Sequence, residues 1–271
     1  MLCIDAGHAK AALAMQLNKT DENDAAGLAQ IMRTGWFREV RVKSFNAQLQ
    51  RRMLQSRLQL VNMRRYASNQ VRGALKVFGI VLPPGRLSTF DRLAREHLGG
   101  REDLSAFSEP LLAAWRTLGD QVALLDKRLR KAAREDVVVR NLMTVPGVGP
   151  LIGMAYVATI DDPKRFRKSR NVGAHLGLAP RRFQSGEMGC QGSISKCGDA
   201  LLRHYLYEAA GVLLTRSRRS NSLMVWGMQL AKRIGKSKAR VAVARKLAII
   251  LHRMWRTGER FRWESSIEVT A

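Results

Sequence analysis

Beginning near Ser44, apolar residues recur at helical spacing, with Leu49, Met53, Leu58 and Val61 marking a long helix that runs to about Phe78. Pro83, Pro84 and Gly85 end any continuation. A second run, from about Pro110 to Arg134, sets Trp115, Leu118, Val122, Leu125 and Leu129 at steps of 3, 4, 3 and 4. That is the period of a heptad seam, and it asks for a partner helix crossing at a shallow angle. The two helices are expected to lie antiparallel. Residues 44–139 therefore read as a coiled-coil spacer or dimerisation arm, with a structural role.

The flanking regions differ from this arm and from each other. Residues 1–43 look like a fragment of an α/β domain. Leu2 to Ile4 is a short apolar run leaving into a loop, Thr20 caps a helix opening in Asp21-Glu22-Asn23-Asp24, and Glu39 to Val42 suits a second short strand. Two strands do not make a stable sheet alone, so the chain reads as starting partway through a domain. Residues 140–262 form a third region. Asn141–Val145, a Pro-Gly-Val-Gly-Pro turn and Leu151–Ile160 read as helix, turn, helix, and Ser169–Leu178 as a short helix. Pro180 to Gly198 reads as a loop or loose hairpin, followed by helices over Asp199–Thr215, Asn221–Arg233 and Lys236–Trp255. Residues 263–271 are a tail. The expected class is mainly α, with a partial α/β fragment at the start.

Composition narrows the function. The chain carries 47 Lys and Arg against 22 Asp and Glu, a net +25 over 271 residues. Such self-repulsion is costly unless the partner is a polyanion whose counterions are released on binding. The alternative is a uniformly supercharged surface, but residues 164–262 hold 23 basic against 4 acidic residues, leaving only +6 elsewhere. Cys3, Cys190 and Cys197 form no CxxC pair, which argues against a zinc site and fits a reducing cytoplasm. No leader for secretion is expected, and the uncharged run Leu142–Ile160 is broken by Pro146, Gly147, Gly149 and Pro150, so no membrane span is expected either.

Three groups of residues could carry chemistry. Asp21 and Asp24, three apart in the first turn of a helix, project to one side and could hold a divalent metal, although acids there are also ordinary partners of the helix dipole. The turn Pro146 to Pro150 resembles the hairpin of helix-hairpin-helix modules, in which Gly147 and Gly149 would let the backbone approach a phosphate. A tight interhelical turn is the plainer reading. Ser185 lies in a glycine-containing segment beside Arg181 and Arg182, which suits a serine attacking phosphorus; Ser193, Ser195 and Lys196 form a second such cluster. The histidines show no ligand-like spacing.

Taken in order, Ile4-Asp5-Ala6-Gly7-His8-Ala9-Lys10, Lys19 to Ala25, Val145 to Pro150, Gly177-Leu-Ala-Pro180, Ser185-Gly186 and Ile194-Ser-Lys-Cys-Gly-Asp199 resemble the DEDD transposases of bacterial insertion-sequence family 110, with its 1111 subgroup and the Piv-type DNA invertases. The resemblance implies a RuvC-like, ribonuclease-H-type catalytic domain ending at residue 43, and a C-terminal transposase domain over 140–262. It further implies magnesium on four acidic residues, of which Asp21 and Asp24 match the third and fourth, and Ser185 as the nucleophile that attacks DNA, with Ser193 and Ser195 behind it. Gly147, Gly149, Arg181, Arg182 and Lys196 would contact DNA. A structured guide RNA, and a homodimer or tetramer, are implied as partners. The family's first Asp and its Glu lie upstream of the segment matching Met1, so a chain truncated at the N-terminus with impaired catalysis is expected. A non-catalytic DNA- and RNA-binding remnant and a site-specific invertase are the alternatives.

Overall fold

A computed structural model describes residues 2–85, 87–186, 188–217 and 220–263. Apart from Trp263, the expected tail lies outside the described residues. Within them the fold is mainly helical, with eleven α-helices and one two-stranded hairpin. The chain divides into two compact units, Met1–Phe45 and Asn46–Ala271.

The first unit is a helix pair, α1 (Ala6–Leu13) and α2 (Asp21–Thr34). Asp5, expected in a loop, instead caps α1, accepting from the Gly7 and His8 amides at 2.9 and 3.1 Å. Thr20 caps α2 through the Asn23 amide at 3.2 Å, and Gly35, at φ 66°, ends it. The two expected strands reduce to a single antiparallel bridge between Ile4 and Glu39. The reason is burial: Ile31 is the one buried apolar side chain among the described residues of this unit, too little to hold a sheet.

The second unit opens with the long helices α3 (Phe45–Val77) and α5 (Glu102–Glu135), with the short α4 (Phe90–Leu98) between them. Their cross-contacts run in opposite directions along the two helices. Arg57 meets Asp126 at 2.5 Å, while the Arg64 guanidinium lies 3.8 Å from the centre of the Trp115 ring. The helices are therefore antiparallel. The seam is not purely apolar, however. Trp115, Val122 and Leu129 are buried, Leu118 and Leu125 only half-buried, and arginines of α3 reach across. Helix α5 also begins well before Pro110. Glu102 and Asp103 suit its first turn, and burial of Leu104 and Leu112 offsets the roughly 3 kcal/mol that an interior proline costs. Phe90, Ala94 and Leu98 of α4 pack with Val71, Leu75 and Trp115 into a small core at the far end of the arm.

The remainder builds a helical domain around α7 (Pro150–Ile160). Seven of its residues are buried and none is charged, so it has no face to turn toward water. It packs against α5, α6 (Val137–Leu142) and α9 (Ala200–Arg216), and Tyr156 carries it onto α11 (Lys236–Thr257). The Tyr156 hydroxyl donates to the Ala248 carbonyl of α11 at 2.7 Å, and complete burial pushes its ionisation well above the usual phenol range. Helices α8 (Arg170–His175) and α10 (Ser222–Ile234) complete the shell. Between α8 and α9 the glycine-containing segment is an ordered hairpin, β1 (Pro180–Ser185) against β2 (Met188–Ile194). Among the described residues, no helix is long and apolar enough to cross a membrane.

One ion pair ties arm to domain. Asp199 caps α9 through the Leu202 amide at 2.8 Å and also accepts from Arg51 of α3, at 2.9 Å from Nε and 2.6 Å from Nη2. The Asp199 side chain is 8% exposed and that of Arg51 39%, so removing Asp199 loses the cap while Arg51 can turn to water. Asp199→Ala is expected to cost about 1–2 kcal/mol in urea denaturation. Asp199→Asn, which keeps the capping oxygen, should recover about 1 kcal/mol of that loss.

Candidate nucleic-acid interface

The hairpin is rooted firmly and exposed at its tip. At the root, the Ser195 amide donates to the Ala179 carbonyl at 2.9 Å, and the Lys196 amide to Gly177 at 3.1 Å. Arg203 of α9 reaches the carbonyls of both Leu176 and Cys197 at 3.1 Å, clamping the two sides together. Gly177 and Gly198 take positive φ and sit backbone against backbone, Gly177 on Lys196 and Cys197, Gly198 on His175. No side chain fits at either place. Lys196 itself holds a left-handed φ of 55°, an uncommon conformation for a residue with a Cβ, and its side chain points outward in an exposed position.

The candidate serines separate along this hairpin. Ser185 ends β1, opposite Met188, and is exposed next to Gly186 at φ 55°. Ser193 lies in an irregular step where β2 carries an extra residue between the pairs Pro180–Ile194 and Arg182–Gln191, and it too is exposed. Ser195 is half-buried at the root, where its carbonyl accepts from Arg181 Nη2 at 3.4 Å. The backbone of Arg182 is fixed in β1; its side chain is outside the described residues. The structure thus gathers Arg181, Ser185, Ser193, Ser195 and Lys196 onto one hairpin.

The turn at Pro146 to Pro150 does connect two helices, but its glycines do different work. Gly147, at φ 84°, presses against the backbone of α9, where a Cβ would stand 2.5 Å from the Ala209 carbonyl oxygen. Val145 and Val148 on either side are buried in the main core. Gly147 is therefore an interhelical packing residue. Gly149, the N-cap of α7, is the one with open space where a Cβ would be.

A basic loop precedes the hairpin. Between Pro163 and Gly186 there are seven Lys and Arg and no acidic residue. Lys164, Arg167, Lys168 and Arg170 are exposed. The loop is pinned by a histidine far along the chain. His252 of α11, fully buried, lies 2.9 Å from the Pro163 carbonyl through Nε2 and 2.9 Å from Ser169 Oγ through Nδ1. A carbonyl only accepts, so Nε2 carries the proton and Nδ1 accepts from the serine hydroxyl. Burial, with Arg256 nearby, pulls the imidazole below its ordinary range despite the opposing bond to Pro163. Sequence spacing alone offered no signal for this contact, because its partners are 83 and 89 residues away.

Asp21 and Asp24 stand in the other unit, in the first turn of α2 beside Glu22. Asp21 is exposed; Asp24 is half-buried and lines a cleft of about 730 Å³ with Lys10 and Lys19, a cleft that Asp21 does not line. Carboxylates are the hard oxygen ligands magnesium takes, but the cleft beside Asp24 also carries two lysine cations. Among the described residues, no group of three or more His, Cys, Asp or Glu side chains is placed to hold a metal.

A hairpin that carries serines and cations, rooted on a basic helical domain, suits a phosphate-bearing partner. Comparison with known proteins narrows this. Residues 139–224 match the model of the family described as Transposase IS116/IS110/IS902. The chain is 31% identical over 240 residues to a probable family 20 transposase of Pseudomonas aeruginosa, covering 86% of this chain and 71% of that protein. It is 29% identical over 254 residues to the transposase for insertion sequence element IS1111A of Coxiella burnetii, covering 90% and 69%. A Sinorhizobium fredii protein described as a transposase, y4pF/y4sB, is 30% identical over 250 residues, covering 90% of this chain but only 64% of its own length, under two thirds. The chain belongs to the IS116/IS110/IS902 transposase family.

Two outcomes follow from this geometry. Gly147→Ala should cost at least about 2 kcal/mol in thermal or urea denaturation, through both strain and collision with α9. Gly149→Ala should stay within about 1 kcal/mol of the parent. For His252, the folded state disfavours the charged form, so the unfolded chain binds more protons once pH falls below about 6.5. The contribution is fully present above that pH and is lost as pH drops through the lower folded value. A His252→Gln variant should show a flatter decline of stability as pH falls below about 6.5.

Proposed function

We propose that this chain cuts and rejoins DNA as the transposase of an insertion sequence, with Ser185 as the attacking nucleophile. The observation that carries the reading is the rooted hairpin, which presents Ser185 exposed at its tip while Arg181 and Lys196 sit near its base. Ser193 shares the exposure but lies in an irregular stretch, and Ser195 is partly enclosed.

In the proposed step, Ser185 Oγ loses its proton and bonds to the phosphorus of one phosphodiester. The bond from that phosphorus to one deoxyribose oxygen breaks, and the oxygen leaves as a hydroxyl, taking up a proton. The phosphate is thereby held on the serine while strands exchange, and attack by the new strand's hydroxyl reverses the chemistry. Arg181, Arg182 and Lys196 neutralise phosphate charge and hold the strand in register. Gly149, at the start of α7, offers its open backbone to a further phosphate. Asp21 and Asp24 would bind magnesium, which supplies charge neutralisation at phosphate oxygens when present. The exposed loop Lys164 to Arg170 extends the phosphate-binding surface. A structured RNA of the element, and assembly into a dimer or tetramer, complete the reading.

The test uses the full chain with duplex DNA carrying an element end, with and without RNA transcribed from that element. The parent chain is expected to form a covalent protein–DNA adduct, and Ser185→Ala to lose it while keeping DNA affinity within about twofold, because an uncharged side chain adds little to phosphate binding. An adduct that persists in Ser185→Ala would overturn the assignment of the nucleophile. Steeply salt-dependent binding with no adduct from the parent chain would instead establish the non-catalytic reading.

A further inference from the structure

Helices α10 and α11 contain no acidic residue from Ser222 to Thr257, and four of their nine cations have local structural partners. Arg240 lies 4.0 Å over the Tyr207 ring and 3.3 Å from Glu208. Lys246 lies 4.1 Å over Trp226, Arg245 packs along Gly173 of α8, and Arg256 reaches the Arg167 carbonyl at 3.5 Å. Five have no such account: Arg253, exposed farther along α11, and four gathered at the corner between the two helices. Lys232 and Arg233 close α10, and Lys236 and Lys238 open α11, on either side of a one-residue turn at Gly235. All four are exposed, and none forms an ion pair or a ring contact among the described residues.

The placement of the two lysines works against folding. They occupy the first and third positions of α11, where the aligned peptide dipoles concentrate positive charge and where acidic side chains are favoured. Acids fill that place at α2, with Asp21, Glu22 and Asp24, at α4, with Asp91, and at α5, with Glu102 and Asp103. At α11 no side chain caps the helix, and lysines stand where a glutamate would help. A surface that holds four unpaired cations, two of them against a helix dipole, is built for an external polyanion.

We propose that the α10–α11 corner, through Lys232, Arg233, Lys236 and Lys238, is a docking surface for the phosphate backbone of duplex DNA, separate from the hairpin that carries Ser185. Two helices meeting at a one-residue turn place these exposed cations where phosphates along a groove edge can reach them. The proposal rests on the reading that this chain handles DNA, and it adds a second anchoring point to that reading. Contacts of this kind fix register and affinity and carry no sequence information.

The full chain, its Lys236→Glu/Lys238→Glu variant, and a charge-matched Lys127→Glu/Arg128→Glu variant on the exposed face of α5 are compared by duplex binding over a range of salt, and by thermal denaturation. The corner variant should bind duplex at least about tenfold more weakly, with a salt slope shallower by about 2, since about 0.9 is lost per phosphate contact. It should also melt about 2 °C higher, because the acids now complement the dipole. The α5 variant should retain most of the affinity. Equal binding by the corner variant and the parent, or equal weakening by both variants, overturns the proposal. Weakening confined to structured RNA, with duplex binding intact, overturns its assignment to DNA. A parent chain that binds no duplex at all is a different result, and strikes the proposed function itself.

Discussion

Helix α7 has no polar face, and that fact organises the domain around it. A helix apolar on all sides is stable in water only when neighbours cover every side. Four helices do so here, and the tight packing of Gly147 on α9 and of Gly153 on Val139 of α6 brings them close enough to exclude water. The covering helices are then free to spend their outer faces on charge. Their cations point outward because the inner surface is fully committed to α7.

The hairpin inherits its rigidity from this arrangement. A two-stranded hairpin is marginal on its own. This one is fastened by Arg203 of α9, by the backbone contacts of Gly177 and Gly198, and by Asp199, which caps α9 while pairing with Arg51 of the arm. The motif segments around Gly177 and Ser195 to Asp199 are thus mainly a mounting. Ser185 extends from the mounting into solvent, where a large substrate can reach it.

Much of the helical framework could be read from sequence, because helix period, capping residues and breakers are local. The helices over Asn221–Arg233 and Lys236–Trp255 were legible from Asn221 and the Gly235 break, and Thr20 announced α2. Misreadings came where local and tertiary forces disagree. Pro110 looked like a helix start, but burial of Leu104 and Leu112 carries α5 through it. The apolar run at Leu2 looked like a strand, but with so little buried around it only one bridge forms. The clip made by His252, Ser169 and Pro163, and the Arg51–Asp199 pair, join residues 83 to 148 positions apart, beyond the reach of any periodicity. Among the site residues, the sequence grouped the serines together; their separation into tip, irregular strand and root needed the register of β1 and β2.

The central claim is that the serine at the hairpin tip bonds to DNA. The most direct measurement is proteolysis of the covalent protein–DNA adduct followed by nuclease trimming and fragmentation mass spectrometry. Cleavage after Arg182 and Lys196 releases one peptide containing Ser185, Ser193 and Ser195, so a single spectrum distinguishes all three. The account predicts the residual nucleotide on Ser185. Its presence on Ser193, on Ser195 or on any residue outside that peptide would contradict it.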